Sequence, residues 1–127
     1  MKADSLPEGV RLFIFQNIDS VPELELLLLL ADRVADLDVE EAAARVYVEE
    51  GAARELLSRL LNRRLVAASG DPPRYRFAPQ EVEDERRVRQ LSQAYRTHLV
   101  AMANLIHSKA SGSVQEFARA FDLKKDR

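Results

Sequence analysis

Five arginines, Arg54, Arg59, Arg63, Arg74 and Arg76, hold the most specific chemistry this chain offers, with Glu55 and Ser58 among them. A guanidinium presents paired N–H donors that match the O6 and N7 acceptors of guanine or two oxygens of a phosphate. A carboxylate such as Glu55 accepts from the cytosine amine, and a hydroxyl such as Ser58 bonds a phosphate. Arg54 follows the apolar Ala53 by one residue, which puts it on the outer side of any helix that buries Ala53. Arg74 and Arg76 alternate with Tyr75 and Phe77. In a strand this alternation gives one apolar face and one cationic face.

Two helices and a hairpin are needed to present these groups together. In the second helix Ala53, Leu56, Leu57 and Leu60 recur at i, i+3, i+4 and i+7, and Ala43, Val46 and Val48 face inward from a shorter helix and turn before it. Leu65 to Ala78 reads as two short strands around Ser69-Gly70-Asp71-Pro72-Pro73, whose Gly and Pro suit a hairpin end. Helix, tight turn, helix and strand pair is the order of a helix-turn-helix entering a wing. Charge follows the same division. Residues 1–50 carry four Lys and Arg against twelve Asp and Glu, a net of −8; residues 51–79 carry six against two, a net of +4; and residues 80–127 carry nine against seven, a net of +2. A chain with an overall charge of −2 has therefore gathered its positive charge on the second helix and the hairpin.

Helix starts are marked by a short oxygen-bearing residue three positions before a glutamate, at Ser5/Glu8, Ser20/Glu23, Asp38/Glu41 and Ser113/Glu116. The periodicity predicts helices at about 6–17, 21–35, 39–46, 50–63, 80–109 and 114–123, with the wing between the fourth and fifth. The run Leu26–Leu30 is bounded by Glu23, Glu25, Asp32 and Arg33, far short of the ~20 residues of a membrane span, and is expected to be a buried helix. In the fifth helix Val88, Leu91, Tyr95, Leu99, Met102 and Ile106 form one apolar stripe, and Phe117 and Phe121 belong to the last helix. A helix of roughly 45 Å exceeds what the wing domain alone covers. The stripe, with Phe117 and Phe121, is expected to bury itself in a homodimer; the alternative is a monomer in which the last helices fold over the first two.

The 127 residues fit one domain, 1–127, with a winged-helix core at about 20–78 and the flanking helices serving dimerisation. With no cysteine the chain has no disulfide framework and no thiolate zinc site, which fits a reducing cytoplasm. The acidic start, MKADSLPEGVR, does not resemble an export signal. His98 and His107 stand nine residues apart on one helix and cannot share a metal, so neither a metal nor a cofactor is expected. Gly-rich phosphate loops and nucleophile elbows are absent from the sequence, and an enzyme is not expected.

Residues 20–78 resemble a winged helix-turn-helix domain, and the full order of elements resembles the small dimeric MarR-type transcriptional regulators. Winged helices of that kind commonly read A-x-x-L-G-hydrophobic-S-x-S-x-V-S-R-x-L-x-x-L-x-x-x-G-L-V. Ala43, Val46, Val48, Ala53, Leu57, Leu60, Leu65 and Val66 follow that spacing without insertion. The resemblance implies a mainly α fold with a small β-hairpin wing, a long C-terminal dimerisation helix, and a recognition helix at 50–63 bound to double-stranded DNA. Departures lie where DNA would be touched. Tyr47 and Arg64 replace glycines, which gives these helices a reason to end differently. Glu49 and Glu50 replace a small hydroxyl cap, and the wing tip Asp71-Pro72-Pro73 lacks the usual basic residue. Two readings follow: a dimeric DNA-binding transcriptional regulator, or a winged helix turned protein-interaction module whose partner meets the acidic start of the recognition helix.

Overall fold

The structure, a computed structural model, describes residues 6–32 and 36–125, with side chains as far as Lys109. Its elements are α1 (Glu8–Asn17), α2 (Val21–Asp32), β1 (Leu37–Asp38), α3 (Val39–Val46), α4 (Glu50–Asn62), β2 (Val66–Ser69), β3 (Arg74–Phe77) and α5 (Val82–Lys125). The three strands form an antiparallel sheet in the order β1-β3-β2. This is a mainly α winged helix with a long C-terminal helix.

The leucine run makes α2 the central helix. Leu24, Leu26, Leu27, Leu28 and Leu30 are all buried, because α2 meets α3, α4, β3 and α5 on different sides. Glu25, Leu29 and Asp32, at i, i+4 and i+7, form the one side of the helix that stays partly accessible. Its start is tied by side chains: the Glu23 amide donates to Ser20 Oγ at 3.3 Å, and Glu23 Oε1 accepts from the Asp19 amide at 2.8 Å. At α3 the expected reciprocal cap is complete, with the Glu41 amide donating to Asp38 Oδ1 at 2.8 Å and the Asp38 amide to Glu41 Oε1 at 3.0 Å. Helix α1 starts differently from the expectation. Its N-cap is Pro7 and no side chain caps it; Ser5 lies outside the described residues.

Three further expectations change. The expected extension of α2 over 33–35 is not among them, since it lies outside the described residues. The short β1 that follows was not foreseen, since two residues are too few to show an alternation. The predicted break between 109 and 114 is absent, and the backbone of α5 is helical through that stretch to Lys125. Ser113 and Glu116 therefore do not start a helix. Gly112 costs about 1 kcal/mol inside a helix, which a long helix tolerates where proline is absent. The interruption falls instead at His98 (φ −124°, ψ 23°), where Thr97 Oγ1 donates to the Ala94 carbonyl and contacts His98 Nδ1 at 2.8 Å. Hydroxyl bonding to the preceding turn is a known cause of helix bending.

The third change concerns the apolar stripe of α5. Val88, Leu91, Met102 and Ile106 are fully buried within the protomer and join the core made by α1 and α2. Tyr95 is half-buried, and its hydroxyl donates to Glu25 Oε2 on α2 at 3.0 Å. Burial and this carboxylate push the phenol up to about 12. The stripe thus serves the protomer, as in the fold-back arrangement, and only Leu99, 40% exposed, faces outward. The reason is geometric: α1 and α2 supply a complementary apolar surface from the same chain for Val88, Leu91, Met102 and Ile106. Phe117 and Phe121 lie on α5 but beyond the described side chains.

Candidate nucleic-acid interface

Helix α4 is placed by its buried residues. Ala53, Leu57 and Leu60 point to the core, so Arg54, Glu55, Ser58 and Arg59 come to the outer face. With Gly51 they line a solvent-facing hollow of about 600 Å³. A second cleft, of about 300 Å³, lies between the starts of α3 and α4 and the wing tip, and is lined by Asp38, Val39, Glu40, Glu50, Arg54, Pro72, Pro73 and Tyr75. Arg54 borders both.

Both helices of the helix-turn-helix end in left-handed backbone without glycine. Tyr47 has φ 60° and Arg64 φ 63°. The Val48 amide bonds the Ala43 carbonyl, and at the end of α4 the Leu65 amide bonds Leu60 while that of Arg64 bonds Leu61, at 3.0–3.1 Å. These are the bonds of a Schellman-type end. The sequence reading left room for the helices to end differently at these two residues; they do not, because the closing hydrogen bonds and the burial of Leu65 behind the turn outweigh crowding at one Cβ. At the other end of α4, Glu49 is the N-cap but its carboxylate makes no capping bond. Glu49, Glu50 and Glu55 are all exposed beside Arg54.

The five arginines divide into two groups. Arg59 and Arg63 both reach Asp19 Oδ2 at 3.1 Å, and Arg63 also donates to the Gln16 carbonyl at 2.8 Å. Lys109, from α5, meets the other oxygen of Asp19 at 2.9 Å. The Lys109 hydrogen bond, helped by the charges of Lys109, Arg63 and Arg59, holds the Asp19 carboxyl below its usual range. Next to it, Glu23 is 0% exposed, with Oε2 3.8 Å from Arg63 Nε and no hydrogen bond to that oxygen; burial pushes its carboxyl up. Arg74 is bound to Asp36 at 2.8 Å, Glu41 at 3.1 Å and Asp38 at 3.7 Å, so it ties the wing to β1 and to the cap of α3. The Arg74 hydrogen bond lowers Asp36. Arg54 and Arg76 make no hydrogen bond or ion pair among the described residues, and both are exposed. They stand on α4 and on the outer face of β3, where Arg76 pairs across the hairpin with Ala67.

Structure thus brings all the expected residues to α4 and the wing but leaves only two of the five guanidiniums unclaimed. Reading by charge alone missed Asp19, Asp36, Glu41 and Lys109, whose pairings span 33 to 90 positions of the chain. The net −8 of the first 50 residues was the one available sign that the cationic segment would meet carboxylates at home. Among the described residues no group of three His, Asp or Glu side chains is placed to hold a metal, and no helix is long and apolar enough to cross a membrane.

No protein-family model matches the chain. No curated protein matches it either. Among solved structures it is similar to a MarR family protein from Bacillus stearothermophilus, at 18% identity and a TM-score of 0.48, over 92% of this chain and 80% of that one.

Proposed function

We propose that this chain is a winged-helix DNA-binding transcriptional regulator of the MarR type, with α4 in the major groove, the wing against the flanking backbone, and a homodimer as the working unit. The observation that carries the reading is the pair of unclaimed guanidiniums, Arg54 on the outer face of α4 and Arg76 on the outer face of the wing. A helix-borne arginine reads guanine by two parallel bonds, and a wing arginine neutralises a phosphate. The dimer rests on exposed apolar residues outside the protomer core: Leu12 and Phe15 on α1, Leu99 and Val100 on α5. The chemistry assigned is recognition, with no catalytic step.

Glu49, Glu50 and Glu55, exposed on the same surface, favour the second reading, a winged helix that meets a protein partner. Two measurements separate the two. If the first holds, the native protein binds duplex DNA at low salt with a steep salt dependence, and Arg54→Ala relaxes sequence discrimination by about 1–3 kcal/mol while lowering non-specific affinity less. Native protein that ignores duplex at low salt, while Glu49→Gln/Glu50→Gln binds it, identifies the acids as a block and sinks the DNA reading.

A further inference from the structure

Asp19 sits in the turn between α1 and α2, and its carboxylate is shared by two distant elements. Oδ1 accepts from Lys109 of α5 at 2.9 Å, while Oδ2 accepts from Arg59 and Arg63 of α4, each at 3.1 Å. Lys109 is fixed on the other side by the Ile18 carbonyl at 2.7 Å and lies 5.6 Å above the Phe15 ring. Only 14% of its side chain is exposed, so it has little freedom to serve anything else. Arg59 is different: its side chain is 52% exposed and it also borders the outer hollow of α4.

The charges in this cluster do not cancel. Lys109, Arg59 and Arg63 face Asp19 and the buried Glu23, three cations against two carboxylates. Remove Lys109 and the arginines are matched two against two, which holds Arg59 back on Asp19. With Lys109 present the carboxylate is already served, and Arg59 is free to exchange Asp19 for a phosphate at modest cost, since an exposed ion pair is worth about 1 kcal/mol or less. We infer that Lys109 is a positioning residue for the DNA contact: through Asp19 it sets how much of the Arg59 charge reaches a phosphate, and so couples the place of α5 to the affinity of α4. This rests on the DNA reading above.

The test is a cycle on the full chain, titrating a mixed-sequence DNA duplex at several salt concentrations. Lys109→Gln should weaken binding by about five- to tenfold at 0.1 M salt and lower the salt slope by about one, the signature of one lost phosphate contact. Lys109→Arg should restore both. In an Asp19→Asn background, where Arg59 is already released, Lys109→Gln should change neither. The same loss in both backgrounds, or a fall in thermal midpoint with an unchanged slope, overturns the relay and leaves the DNA reading standing. Absence of duplex binding by the native protein overturns both. Should Lys109→Gln not fold, Arg59→Ala decides: it should lower the native slope by about one, and an unchanged slope overturns the inference, since Arg59 would then hold no phosphate for Lys109 to govern.

Discussion

Tyr47 is the residue at which local backbone chemistry and side-chain choice disagree most. It holds φ 60° in the turn of the helix-turn-helix, yet its ring is 91% exposed and packs on nothing. A Cβ in left-handed backbone costs about 1–2 kcal/mol. Tyr47→Gly should therefore raise stability by about 0.5–1 kcal/mol, the relief being partly offset by the greater freedom of glycine in the unfolded chain. Urea unfolding checks this, and a fall in stability would mean the ring does hold the turn. Glu23 makes the opposite case, a charged group drawn into the core by the amide of Asp19. Its folded carboxyl lies above the ordinary value of 4.5, so the folded protein holds the proton more tightly than the unfolded chain. The contribution this makes to stability is full below about 4.5 and is lost as pH rises through the folded value. The stability advantage of native protein over Glu23→Gln should shrink as pH rises above 4.5, as measured by urea unfolding at each pH. An advantage that is constant or grows would show that Arg63, not burial, governs the site.

At the scale of elements, the wing carries two arginines in one strand with different work. Arg74 is held by Asp36, Asp38 and Glu41, fastening β3 to β1 and to the start of α3. Arg76, two residues on, faces solvent. Replacing Arg76 with Ala should weaken all duplexes alike and lower the salt slope by about one. Arg74→Ala should lower the thermal midpoint and leave the slope nearly unchanged, because its charge is already neutralised at home. If the two variants shift the slope equally, the carboxylates release Arg74 on binding and the division of labour is wrong. The hairpin itself was visible in the sequence, since Tyr75 and Phe77 alternate with arginine and a Gly-Asp-Pro-Pro turn separates the strands. What alternation does not report is which arginine of the outer face meets a carboxylate from an element some 35 residues earlier.

For the whole molecule, the question is what α5 covers. Its stripe is buried by α1 and α2, so truncation there should act on folding: Leu91→Ala is expected to cost about 2–5 kcal/mol without a specific effect on assembly. Leu99 and Val100 lie outside the core and should act the other way. Sedimentation should give a dimer of about 29 kDa, twice 14.4 kDa, and Leu99→Glu should shift it to monomer with little loss of protomer stability. A monomer for the native protein at micromolar concentration ends the dimer proposal. A Leu99→Glu protein that remains dimeric while Leu91→Ala dissociates would overturn the placement of the interface at Leu99, since the stripe would then be the interface after all.

The sequence alone determined the parts of this protein whose cause is local. The positions of α3, α4 and the wing followed from the 3.6-residue and two-residue periods, and the α3 cap from Asp38 and Glu41, whereas the left-handed ends at Tyr47 and Arg64 did not, since neither is glycine. Burial of Leu26, Leu27, Leu28 and Leu30 in the leucine run needed only its length and its charged flanks. Tertiary structure decided everything that depends on two distant segments sharing one surface. An apolar stripe states that a face will be buried, not by which partner, and only folding gave the stripe of α5 to α1 and α2. A cluster of arginines states that positive charge is present, not that it is available. For Arg74 availability was settled by Asp36 and Glu41, because at about 3 Å two neighbouring carboxylates act on a guanidinium more strongly than the net charge of the segment that carries it.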